Sequence, residues 1–96
     1  MEKFEEIRKK AIDLFEQKKY LLRVHSLGRM TERSIYPSDI KLVLLHGSLY
    51  KKEIDDFGDT RYTMRGWDHE SKNIRVTFIL KDVLIIITVI REEEVK

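Results

Sequence analysis

The chain contains no cysteine, so a disulfide framework and thiolate metal sites are both excluded. One proline and four glycines occur, each glycine standing alone, which leaves no material for a glycine-rich phosphate loop. Side-chain amides are limited to Gln17 and Asn73. The longest apolar run, Val83 to Ile87, is far too short to cross a bilayer. No signal-peptide pattern opens the chain, since Met1 to Lys10 is amphipathic and mixed in charge. A soluble cytoplasmic protein is expected, with no membrane partner.

What is present is charge and a modest apolar fraction. Charged residues make up 38% and apolar residues 42% of 96 residues, a single globular domain rather than a disordered chain. Scarce amides with abundant Lys, Glu and Arg fit a thermophile source. The net charge of +2 is unevenly spread. Residues 20–52 carry six basic and two acidic side chains, net +4, whereas residues 53–96 are net −3. A local basic stretch attracts phosphate whatever the total.

Periodicity divides the chain. Phe4, Ile7, Ala11, Leu14 and Phe15 recur at helical steps, so residues 2–18 are predicted to be an amphipathic helix. Tyr20 to Val24 is short, apolar and extended. A helix over His25–Arg33 follows, and Pro37 and Asp39 suit the first turn of another that stops at Gly47. Beyond Gly47 the period becomes two: Leu49–Ile54, Thr60–Trp67, Ile74–Leu80 and Val83–Ile90 read as strands. The expectation is α+β, with N-terminal helices packed on an antiparallel sheet of about four strands. One domain spans residues 1–96, an N-terminal helix over 1–19 and a core over 20–91.

The most informative segment is His25-Ser26-Leu27-Gly28-Arg29-Met30-Thr31-Glu32-Arg33. At about 100° per residue, Glu32, His25, Arg29 and Arg33 fall within roughly a 100° arc. Leu27 and Met30 lie on the far side. Metal-free RNA cleavage needs a base for the 2′-hydroxyl, an acid for the leaving oxygen and cations for the phosphorane. His25 is a candidate for the base or the acid. A helix start and the neighbouring Arg29 both disfavour its charged form, the condition a base needs. Arg29 and Arg33 could hold phosphate oxygens in a forked geometry. The ordinary alternative is a solvated helix face with local ion pairs, and spacing alone favours it.

A second candidate set lies on the strand Thr60–Trp67. Arg61 and Arg65 project from one face with Trp67 next along it, two cations and an aromatic able to bind a backbone and stack a base. An exposed sheet face with cross-strand partners is the plainer alternative. His46 at a helix end suits a dipole interaction, and His69 between Asp68 and Glu70 is expected to be solvated. Scattered histidines and carboxylates give no metal-ligand spacing, and neither metal nor cofactor is expected.

The string His25-x-x-x-Arg29-Met30-x-Glu32-Arg33-x-Ile35, with Asp39-Ile40, Gly47 and the closing Ile87-Thr88-Val89, resembles a family labelled a domain of unknown function, number forty-two fifty-eight. The resemblance covers roughly residues 20–90. It implies a fold similar to RelE-type bacterial toxins, which cleave mRNA and are silenced by an antitoxin. Carried onto this chain, it implies His25, Arg29 and Arg33 as catalytic or RNA-contact positions, with Glu32 orienting an arginine. Ser26 and Ser34 depart from the alanine and glycine expected there, and Tyr36 replaces a small capping residue. The function this implies is a metal-independent endoribonuclease of toxin type acting on RNA, ribosome-bound mRNA included, with an antitoxin as protein partner. The alternative is a non-catalytic RNA- or protein-binding module of the same fold.

Overall fold

A computed structural model describes residues 3–23, Met30 and residues 34–94. Among the described residues, the helices α1 (Phe4–Glu16) and α2 (Pro37–His46) pack on one face of a five-stranded sheet. Its strands are β1 (Tyr20–Leu22), β2 (Ser48–Ile54), β3 (Thr60–Trp67), β4 (Asn73–Leu80) and β5 (Leu84–Arg91), in the order β1-β5-β4-β3-β2.

Strands β2 to β5 form the antiparallel meander that their alternation predicts. The sheet as a whole corrects the expectation of four antiparallel strands. The short apolar segment after α1 becomes a fifth strand, β1, which runs parallel to β5 with Tyr20 opposite Leu84. Hairpins are local and leave turn residues in the sequence. A parallel pair joins distant segments, and three residues carry too little pattern to reveal a partner sixty residues on. β5 is apolar on both faces and interior, between β1 and β4.

Helix α1 buries Ile7 and Ala11, with Phe4, Leu14 and Phe15 at its margin. It ends by turning Lys18 into the left-handed region (φ 60°), while the Lys18 and Lys19 N–H groups donate to the Phe15 and Leu14 carbonyls. On α2, Ile40, Val43 and Leu44 are fully buried; Leu45 is exposed, so this helix is enclosed on one side only. Arg8 of α1 caps the far end of α2, donating to the Leu44, Leu45 and Gly47 carbonyls at 2.9, 3.1 and 2.7 Å. Those carbonyls have no partner within their own helix, and a guanidinium suits the negative pole there.

Gly47 does not stop α2 by adopting positive φ; its backbone is extended. Close approach is the reason for glycine here. A Cβ on Gly47 would lie 2.6 Å from the backbone oxygens of Arg65 and Val43, and Gly66 of β3 packs against Val43 and Gly47. This glycine contact seats α2 on β3, which brings His46 to the end of that strand.

Two of the three hairpin turns, β2–β3 and β3–β4, share one design. Asp55 accepts from the Phe57 and Asp59 N–H groups and pairs with Arg61; Asp68 accepts from Glu70 and Lys72 and pairs with Arg91. The fourth residue of each turn is left-handed, Gly58 in one (φ 83°) and Ser71 in the other (φ 64°).

Candidate nucleic-acid interface

Alternation along β3 sends Tyr62, Met64 and Gly66 to the helices and Arg61, Thr63, Arg65 and Trp67 to the opposite face. The expected shared face is therefore present, but its three candidates do not form one site. Arg61 sits beside the β2–β3 turn, its Nε 3.1 Å from the Asp55 carboxylate. Six residues separate it from Trp67, about 20 Å along a strand. Arg61 anchors a turn.

Arg65 and Trp67 do converge. Strand β2 begins at Ser48, directly opposite Arg65, so β3 runs on past the end of its neighbour. His46 fills that corner, its ring stacked with the Trp67 indole at 6.1 Å between centroids and 13° between planes. His46, Ser48, Arg65, Gly66, Trp67 and Asn73 line an open depression of about 220 Å³. Trp67 is 43% exposed, an unusual placement for a large indole. The depression thus offers a flat aromatic, an imidazole, a guanidinium and two short polar groups.

Behind Arg65 the face is crowded with charge. Arg75 stands directly across the ladder from Arg65, and both guanidinium groups lie over the Tyr50 ring, 5.0 Å away for Arg65 and 4.2 Å for Arg75. A register shift between Leu49 and Lys51 marks the place of Tyr50 in β2. Glu92, just after β5, accepts from the Nε of Arg75 at 2.9 Å and also pairs with Arg65. The hydrogen bond from Arg75, with Arg65 alongside, holds the Glu92 carboxyl below its ordinary range despite burial, and the Arg75 guanidinium is shifted upward in turn.

His25, Arg29, Glu32 and Arg33 lie outside the described residues. Met30 and Ile35, the members of that string that are described, are both buried in the core. Ser34, where the family resemblance calls for glycine, has φ 55°, a backbone conformation that glycine adopts most easily.

A family model described as Domain of unknown function (DUF4258) matches residues 22–91. The chain belongs to this family. The matched span of the DUF4258 chain takes in α2 and strands β2 to β5, and with them every residue of the depression. No curated protein and no solved structure matches it.

Sequence reasoning missed His46, Ser48, Tyr50, Asn73, Arg75 and Glu92 as members of this region. Ser48 reaches Arg65 through the pairing register of β2 with β3, and His46 reaches Trp67 through the seating of α2 on β3, neither of which a local pattern specifies. Glu92 lies in an acidic run that reads as a solvated end, yet its carboxylate is bound by two arginines. His69 is exposed, as expected, and is also paired: its ring Nδ1 is 2.5 Å from the buried Asp39 carboxylate. Among the described residues no group of three or more His, Asp or Glu side chains could hold a metal ion. No described helix is long and apolar enough to cross a membrane.

Proposed function

We propose that this DUF4258 domain binds single-stranded RNA at the β3 depression and cleaves it without a metal, as an endoribonuclease of RelE toxin type. The observation that carries the RNA reading is the convergence of Arg65, Trp67 and His46 on one open corner of the sheet. An exposed indole stacks any base, worth about 1–3 kcal/mol per base, and a guanidinium beside it meets the adjoining phosphate. Support for cleavage comes from the family-like motif: His25 as base or acid, Arg29 and Arg33 on the phosphorane, Glu32 orienting an arginine. In that reaction the 2′-oxygen attacks phosphorus and the P–O5′ bond breaks, with one proton leaving the 2′-hydroxyl and one delivered to the 5′-oxygen. An antitoxin would be the natural protein partner of such an enzyme, and the cytoplasm its compartment.

The test uses purified protein, an RNA substrate and EDTA, with and without ribosomes. Cleavage above a protein-free control, lost in H25A and R29A, is expected. Binding of a labelled oligouridylate should weaken in W67A and R65A and stay unchanged in R61A. Absence of cleavage under both conditions, with W67A still weakening binding, would leave a non-catalytic RNA-binding module. Indifference of RNA affinity to W67A and R65A would remove the RNA reading altogether.

A further inference from the structure

Arg65 and Arg75 are cross-strand partners on the face that carries Trp67. Like charges directly opposite each other destabilise a ladder, so the pair requires an anion between them. In this fold the anion is internal. Glu92, the first residue of the 3-10 turn Glu92–Glu94, lays one carboxylate across both guanidinium groups. Tyr50 supports the two planar cations from beneath. One negative charge set against two positive ones leaves the cluster with a net positive charge. Arg75 is largely enclosed, its side chain 18% exposed, whereas Arg65 is 47% exposed and extends into the depression beside Trp67.

We propose that Arg65 and Arg75 on Tyr50 form a phosphate-binding site for the RNA backbone, closed in the free protein by Glu92 as a built-in competitor. The site rests on the RNA reading above and specifies which phosphate contact is withheld. A phosphodiester presents oxygens to a guanidinium fork as a carboxylate does, and it arrives with a base able to stack on Trp67. Exchange of Glu92 for phosphate keeps an anion between the arginines, so opening the site does not leave the two cations facing one another. Glu92 in the acidic C-terminal run then has a function: it places negative charge where polyanions would otherwise bind without selection.

The experiment measures binding of a fluorescein-labelled oligouridylate by anisotropy across a salt series, for wild type, E92Q and W67A. E92Q is expected to bind about tenfold more tightly at low salt, with a salt slope steeper by about 0.7 for each added phosphate contact. Its thermal midpoint should fall, because two guanidinium groups lose their counter-ion; a lower midpoint without tighter binding would show that Glu92 is structural and overturn the proposal. Should E92Q fail to fold, wild-type protein decides the matter by NMR. The Arg65 and Arg75 Nε–H signals should move on adding oligouridylate, and unmoved signals, or movement with inorganic phosphate alone, overturn the assignment to RNA. Weaker binding in W67A together with unchanged affinity in folded E92Q removes the closed site and spares the RNA reading. If none of the three proteins binds RNA, both fall.

Discussion

Asp39, in the first turn of α2, and His69, in the β3–β4 turn, are thirty residues apart and joined twice. One Asp39 oxygen accepts the His69 backbone N–H at 3.0 Å and its ring Nδ1 at 2.5 Å; the other accepts the Tyr36 N–H at 2.9 Å. A buried carboxylate here must satisfy its lone pairs, and the start of a helix supplies positive potential as well. Asp39 therefore caps its own helix and ties the sheet's far turn to it.

Breaking this tie should be measurable by urea denaturation. D39A removes a cap and a turn anchor together and should cost about 3 kcal/mol. H69A removes only the ring contact, from a half-exposed histidine, and should cost less. A double-mutant cycle is expected to show a coupling of about 1 kcal/mol between them; a coupling near zero would mean the ring contact contributes nothing.

Asp68 gives the fold an acid-sensitive element. Burial by itself would raise its carboxyl, but Arg91 and the Lys72 and Glu70 N–H groups outweigh burial, and the net displacement is downward. A carboxylate depressed by folding stabilises the native state fully above its unfolded value of about 4, and that contribution is lost as the pH falls through the lower folded value. D68N should cost roughly 3 kcal/mol at neutral pH, since Arg91 is left buried opposite an uncharged group. The gap between wild type and D68N should then narrow in acid, below about pH 4. A gap independent of pH would assign the cost to something other than the ion pair.

Gly47 should tolerate no side chain. In G47A the new methyl meets two backbone oxygens at 2.6 Å, and backbone cannot swing aside as a flexible side chain would. A destabilisation of about 2–3 kcal/mol is expected, read as a lower thermal midpoint. Because Gly47 positions His46 against Trp67, indole fluorescence should change in the same variant.

Among the described residues, three hold left-handed conformations without being glycine: Lys18, Ser34 and Ser71. K18G, S34G and S71G should each stabilise the protein by up to about 1 kcal/mol, the relief of steric strain exceeding the added chain entropy. Calorimetric midpoints would check this, and a lowered midpoint in all three would contradict it.

Much of the architecture was legible from pattern. The apolar spacing from Phe4 to Phe15, Pro37 and Asp39 at a helix start, and the two-residue period through Arg61 to Trp67 each correspond to an observed element. The candidate site was legible only in part. Arg65 and Trp67 share a face as alternation demands, whereas Arg61 belongs to a turn because Asp55 takes its guanidinium. His46, Tyr50, Arg75 and Glu92 carry no local signal, since each acquires its neighbours from strands or helices elsewhere in the chain.

The sequence by itself determined periodicity, and with it which residues face inward, where helices begin and where hairpins turn, because these follow from backbone geometry over a few residues. Tertiary structure alone decided which distant segments meet. It set β1 beside β5, His46 beside Trp67, and one carboxylate between Arg65 and Arg75. Register and helix seating fix such meetings through packing of the whole core, down to the missing Cβ at Gly47, and no short stretch of sequence encodes that.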